Sequence, residues 1–197
     1  FIEMDSYGLH NQKVINLSEV KKNINYAIVI STNSGLWRYK IGDTIKFTSI
    51  SPYRIQISGR TKNFINAFGE ELIIENAEKA LTKTLLTHKL NIVEYTVAPF
   101  YMNKKKSGHH QWLIEFKNPP KNLLGFKKDL DVNLQKTNSD YKSKRFKNIT
   151  MSEIEIIVAR KNLFYDWLKK NKKLGGQNKV PRLCNDRKLI EELLKII

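Results

Sequence analysis

Two short blocks of this chain pair an acid and a base with strand ends. Residues 35–43 read GLWRYKIGD, an apolar and aromatic run that closes on Gly42-Asp43. Residues 58–72 read SGRTKNFINAFGEEL, in which Gly59-Arg60 ends a strand and Thr61, Lys62 and Asn63 lead into another apolar run. A carboxylate at a strand end can accept hydrogen bonds from both hydroxyls of a ribose, and an arginine shortly after can fork onto phosphate oxygens. Taken alone, a Gly-Asp pair at a strand end is more often a simple turn. A third block, residues 174–182 (LGGQNKVPR), is a glycine-containing loop with one lysine, Lys179. Gly175-Gly176 opens backbone conformations that other residues resist, and Pro181 favours extended backbone at Val180. Such a loop can thread a long side chain into a neighbouring site, although a loop lysine is also an ordinary solvated charge.

The elements that must position these residues follow from periodicity. Residues 26–32 (YAIVIST) form a β-branched run that reads as a buried strand. Residues 36–41 and 44–49 read as strands on either side of Gly42-Asp43. Residues 53–58 alternate Tyr, Ile, Ile with Arg, Gln, Ser, the pattern of a half-buried strand. Residues 59–63 are polar and short and make the candidate domain boundary. Beyond them the chain predicts a strand over 64–68, a turn at 69–71 and a helix over 73–88. Ile73, Ala77, Leu81, Leu85 and His88 share one face of that helix. Strands follow at 91–101 and 111–116, with the basic run Lys104-Lys105-Lys106 as a solvated hairpin tip between them. Pro119-Pro120 precedes a helix over 123–135. A strand at 154–159, a helix at 163–170 with Phe164, Trp167 and Leu168 buried, and an amphipathic tail at 187–197 complete the pattern. Strands interleaved with helices predict a small α+β domain, one sheet flanked by helices.

Composition narrows the chemistry. The chain has 197 residues, 41% hydrophobic and 10% aromatic, enough for a core. No stretch approaches the length of a membrane span. The single cysteine, Cys184, forbids an internal disulfide, fits a reducing cytoplasm and has no paired base that would make it a nucleophile. His109 and His110 are adjacent on a strand, so they point to opposite faces and do not make a metal pair; no metal site is assigned. His88 reads as a helix-end partner. The net charge of +16 is distributed as +4, +7 and +5 over residues 1–60, 61–150 and 151–197, in a chain rich in Lys, Asn and Ile. That spread argues against a nucleic-acid surface and suits a polyanionic small molecule.

Taken together, GLWRYKIGD (35–43), SGRTKNFINAFGEEL (58–72) and QNKVPR (177–182) resemble the second half of an adenylate-forming enzyme, in the superfamily of acyl-CoA synthetases, luciferases and peptide synthetases. In detail they are similar to the Gretchen Hagen family, the auxin-responsive acyl-acid amido synthetases and their bacterial relatives. The resemblance covers nearly the whole chain. It implies that residues 1–59 are the β-rich C-terminal end of a large adenylation domain and that residues 60–197 are a small mobile C-terminal domain with a mixed sheet flanked by helices. The chain opens on Phe1 in what reads as mid-strand and has no phosphate loop rich in Gly, Ser and Thr. The expectation is therefore a C-terminal fragment, inactive alone.

By the same resemblance, Asp43 holds the ribose hydroxyls, Arg60 lies near the ribose-phosphate region and Tyr39 helps frame the nucleotide. Lys179 is the adenylation catalyst, and Lys62 the hinge about which the small domain turns. ATP and Mg are implied, bound mainly by the upstream part. The implied partners are a small carboxylic acid and an amino acid, with no nucleic acid and no membrane. Two other classes are a ligase passing its acyl group to coenzyme A or a carrier thiol, and a non-enzymatic basic module that binds nucleic acid.

Overall fold

The computed structural model describes residues 1–61, 64–102, 107–175 and 178–197. The expectations for Lys62, for Lys104-Lys105-Lys106 and for Gly176 therefore lie outside the described residues. The chain divides into two compact units, Phe1–Phe64 with Ile73–Glu75, and Ile65–Leu72 with Asn76–Ile197.

The first unit is built on a four-stranded sheet in the order β1-β2-β3-β4, with β1 at Ile2–Glu3, β2 at Asn25–Ile30, β3 at Tyr39–Ile50 and β4 at Tyr53–Arg60. All pairings are antiparallel. Tyr26, Ile45, Phe47 and Val20 form a buried cluster, with Phe1 set edge-on to both Tyr26 and Phe47. The two strands expected around Gly42-Asp43 are one continuous strand of 12 residues. Between Ala27↔Thr44 and Val29↔Lys40, β2 advances by two residues while β3 advances by four, so Gly42-Asp43 sits in a bulge rather than at a strand end. Gly42 takes φ +92°, which a residue with a Cβ adopts only under strain. Residues 36–38 lie before the strand, not in it. The alternation in β4 does not translate into half-burial: Ile57 is 71% exposed, and Tyr53 and Ile55 are exposed with it. β4 is the last strand of the sheet and pairs with no further strand among the described residues.

A two-stranded ribbon, β5 (Phe64–Ile65) and β6 (Leu72–Ile73), follows. The expected strand over 64–68 thus lasts only two residues, because residues 66–71 turn instead. Asn66 accepts from the Glu71 amide, and Glu70 accepts from the Phe68 amide at 2.7 Å.

After the ribbon comes α1 (Ile74–His88), which belongs to the second unit from Asn76 onward and leads to β7 (Ile92–Phe100) and β8 (His109–Phe116). The helices α2 (Leu123–Thr137) and α3 (Ser139–Lys144) precede β9 (Glu155–Val158), and α4 (Leu163–Lys170) and α5 (Lys188–Leu194) close the chain. The sheet runs β7-β8-β9, with β7 and β8 antiparallel and β8 and β9 parallel. It is mixed and flanked by helices, as the sequence predicts. The buried face of α1 is Ala77, Ala80, Leu81 and Thr84, turned from the expected stripe so that Leu85 and His88 are only half-buried. Thr84 compensates by donating to the Ala80 carbonyl and accepting from Asn133 on α2.

The central strand β8 is buried along its whole length although it reads HHQWLIEF. Most of its polar groups are paired, as burial requires, although His110 Nδ1 and Trp112 Nε1 take no hydrogen-bond partner among the described residues. Glu115 accepts from the Asn162 amide at 2.6 Å and so serves the N-terminus of α4, an anion at the positive end of the helix. Gln111 donates to Glu155 and accepts from Arg187. A further cluster packs Ala98, Leu113, Leu163, Phe164, Trp167, Ile190 and Leu193 between the sheet, α4 and α5. Among the described residues no helix is long and apolar enough to cross a membrane.

Candidate functional site

The bulge in β3 and the end of β4 bring two of the sequence-predicted residues together. Asp43 and Arg60 are direct register partners, and Arg60 Nε donates to Asp43 Oδ1 at 3.1 Å. The sequence gives them separate tasks; the fold makes them a pair. Asp43 is 36% and Arg60 70% exposed, so the pair contributes little to stability, about 0–1 kcal/mol. It does fix orientation. Arg60 spends Nε on Asp43, and its two terminal nitrogens take no partner among the described residues. Asp43 Oδ2 is likewise left open. The result is a carboxylate oxygen and a guanidinium edge, side by side and facing solvent.

Two glycines make this approach possible. Gly42 carries the chain through the bulge, and Thr61 donates to its carbonyl at 2.8 Å through the backbone. Gly59, at φ +151°, lies so close to Ile74 that an added Cβ would meet its Cγ2 at 3.2 Å. Tyr39 begins the same strand opposite Ile30 and is exposed. Nothing in the described residues fixes its ring.

Lys179 belongs to the second unit, and its segment has one free side and one anchored side. From Val180 onward the chain is tied to β7. The Val97 amide donates to the Arg182 carbonyl at 2.8 Å, and the Cys184 amide donates to the Val97 carbonyl at 3.0 Å. Leu183 bridges Val97 in parallel, and the Thr96 hydroxyl donates to the Pro181 carbonyl at 2.7 Å. Val180 and Leu183 are buried. Lys179, one residue before the anchor, is exposed, and its ammonium takes no partner among the described residues.

Arg182, present in the motif but without a role in the sequence reading, is held on three sides. It pairs with Glu78 of α1 and with Glu94 of β7, the latter at 3.2 Å, and its guanidinium lies 5.3 Å from the centre of the Tyr95 ring. Burial acts to lower the Arg182 pKa, but Glu94 and the hydrogen bond to Glu78 outweigh it and raise it above the ordinary arginine value. Tyr95 in turn stacks on Trp112 at 5.5 Å.

The histidines go elsewhere. His109 lies between the Ser107 carbonyl and Glu155, while His110 is fully buried against a fully buried Glu70 at 2.6 Å. Each thus takes its own carboxylate. His88 reaches Asp129 of α2 at 2.7 Å. Burial pushes the Cys184 thiol up, which makes it a poor nucleophile at neutral pH. Among the described residues no group of three or more His, Cys, Asp or Glu could hold a metal ion.

Comparison with known proteins gives this geometry a context. The model of the GH3 family central domain matches residues 1–60, and that of the GH3 family C-terminal domain matches residues 75–188. The chain is similar to the Arabidopsis thaliana indole-3-acetic acid-amido synthetase GH3.3, at 25% identity over 206 residues, covering 98% of this chain and 34% of that protein. Its fold is similar to the solved structure of the GH3.15 acyl acid amido synthetase, with a TM-score of 0.65 and 21% identity over 92% of this chain and 35% of that one. A second structure, AtGH3.15 in complex with 2,4-DB, gives 0.64 and 20%, over 92% of this chain and 34% of that one. The chain spans about a third of the length of these relatives.

Proposed function

Because the chain belongs to the GH3 family, we propose that it is the C-terminal part of an ATP-dependent ligase that joins a carboxylic acid to an amino acid. In this reading the acid's carboxylate oxygen attacks the α-phosphorus of ATP. The bond to pyrophosphate breaks, and an acyl-adenylate forms. The amine of the amino acid then attacks the acyl carbon, AMP leaves with the bonding electrons, and the amine nitrogen gives up a proton. In this reading the protein is an adenylate-forming enzyme.

The residues of this chain have distinct tasks in that sequence. Asp43 takes ribose hydroxyls on the oxygen that Arg60 leaves open. Arg60, oriented by its Nε contact, offers its outer nitrogens to phosphate, a forked geometry suited to that anion. Tyr39 supplies an exposed ring on the same strand. Lys179 brings an unpaired ammonium to the charge that develops at phosphorus, where a positioned cation lowers the barrier. Lys62 is assigned as the hinge between the half-reactions. Among the described residues the donor set does not fit a magnesium ion, since Asp43 is committed to Arg60 and no carboxylate cluster is present. A reducing cytoplasm is the compartment a single-cysteine chain fits.

The observation that carries the reading is the ordered match of both GH3 domains along one chain, with an exposed, unpaired lysine in the loop of the second. The test is ATP–pyrophosphate exchange by the full-length protein across a panel of carboxylic acids. Lys179→Ala should lower acid-dependent exchange about 10²–10³-fold, the usual loss for one positioned charge donor, with an unchanged melting temperature. Exchange that survives Lys179→Ala would overturn the assignment.

A further inference from the structure

The reading of Lys179 as the catalyst leaves open what aims it. A lysine side chain has a long flexible stem, and its ammonium is useful only if the backbone beneath it is fixed. The buried anchors, Val180 and Leu183, hold the segment against the core, and the two backbone bonds to Val97 set its register on β7. Neither fixes the twist of the exposed side, from which Lys179 projects. The side chain that grips this exposed side is Arg182. It is 43% exposed, yet three side chains from two elements converge on it: Glu78 from α1, and Glu94 and the face of Tyr95 from β7. A surface arginine with two carboxylates and an aromatic platform is far more constrained than a solvated one.

We infer that Arg182 is the positioning residue for Lys179: with Glu78 and Glu94 it clamps the segment from Lys179 to Cys184 onto α1 and β7, so that the ammonium is presented in one orientation. Arg182 itself touches no substrate. Its charge is neutralised within the clamp, which leaves Lys179 as the cation presented outward from this segment. The guanidinium fork is needed because it must meet two carboxylates from two different elements at once; an ammonium is a point charge and meets them less well. This inference rests on the proposed role of Lys179.

The experiment uses the full-length protein and compares Arg182→Ala, Arg182→Lys and the double variant Glu78→Gln/Glu94→Gln, each alone and combined with Lys179→Ala. ATP–pyrophosphate exchange gives kcat and KM for ATP, and hydrogen exchange follows the amides of Val97 and Cys184. Arg182→Ala should lower kcat roughly 10- to 100-fold, the cost of a misplaced catalytic group, with KM for ATP nearly unchanged. Arg182→Lys should recover part of the loss. The double variant, which keeps the arginine, should reproduce it and covers the case in which Arg182→Ala does not fold. The Val97 and Cys184 amides should exchange faster in both. In the Lys179→Ala background none of these changes should cost further activity. A loss of the same size in that background, a loss carried wholly by KM, or no loss at all would overturn the clamp. Normal activity in Lys179→Ala alone would instead overturn the role of Lys179. Reduced activity in Lys179→Ala with full activity in Arg182→Ala would remove only the clamp.

Discussion

Replacing Arg145 by alanine should strongly destabilise the second unit. Arg145 and Asp131 are only 8% and 5% exposed, and the arginine meets both carboxylate oxygens, through Nη2 at 2.9 Å and Nε at 3.0 and 3.2 Å. The Tyr141 hydroxyl donates to Asp131 at 2.7 Å, and Arg145 also donates to the Met151 carbonyl and to Asn148. Arg145→Ala leaves a buried carboxylate with only Tyr141 and Gln135 as donors among the described residues. Removing one partner of a buried ion pair costs about 3–5 kcal/mol, because the other charge stays buried. The unit has about 130 residues. At about 2.1 cal/mol/K per residue, unfolding it carries roughly 0.27 kcal/mol/K, so the melting temperature should fall by about 11–18 °C. Differential scanning calorimetry measures this directly. The triple replacement Asp131→Leu, Tyr141→Phe, Arg145→Met removes the whole network and should be much less damaging than the single change. A single-variant shift below about 3 °C, or a triple variant as unstable as the single one, would refute the reasoning.

Three further outcomes are expected. Asp43→Ala in the full-length protein should raise the apparent ATP constant roughly tenfold or more, since charge-assisted hydrogen bonds are worth about 1.5–3 kcal/mol each; an unchanged constant in an ATP titration would leave Asp43 as a bulge residue alone. Burial first, then the Asp131 charge, raises the Tyr141 phenol well above its ordinary value of 10.0, so its contribution to stability is complete below pH 10 and is lost as pH rises beyond it towards the folded value. Chemical denaturation between pH 9 and 11 should show that decline, and Tyr141→Phe should flatten it. Lys62→Pro, by fixing φ near −65°, should separate the half-reactions, sparing ATP–pyrophosphate exchange while amide formation falls; equal loss of both would count against the hinge.

What the sequence conveyed was local. The β-branched run of β2 and the aromatic stripe of α4 were legible because burial imposes a period on residue types. The bulge at Gly42-Asp43 was not, because it is created by unequal spacing against β2, a strand more than ten residues away in sequence. The exposure of β4 escaped for a related reason: alternation shows that a strand has two faces, not that either is covered. Helix α3, SDYKSK, buries a single side chain, Tyr141, which gives no period to read; Asn138 ahead of it was its signal. Of the site, the residues of the three blocks were visible, but their partners were not. Arg182 meets Glu94 and Glu78 across 88 and 104 residues, and His110 meets Glu70 across 40, distances over which a single sequence carries no pairing information.

Asn138 also bears on how this protein ages. Its Oδ1 accepts from the Tyr141 amide at 2.8 Å, and its Nδ2 donates to the Glu70 and Glu71 carbonyls at 3.0 Å each. Asn-Ser is a dipeptide prone to deamidation, in which the following backbone nitrogen attacks the side-chain carbonyl. Here that carbonyl is pinned by Tyr141 and the amide nitrogen by two main-chain oxygens, so the cyclic intermediate is reached only after the joint between α2 and α3 opens. Once formed, the aspartate would keep the shape of the side chain and lose its donors, setting a negative charge against two carbonyl oxygens. The same hydrogen bonds that join the helices to the 66–71 turn thus protect the amide from the hydrolysis that would most damage them.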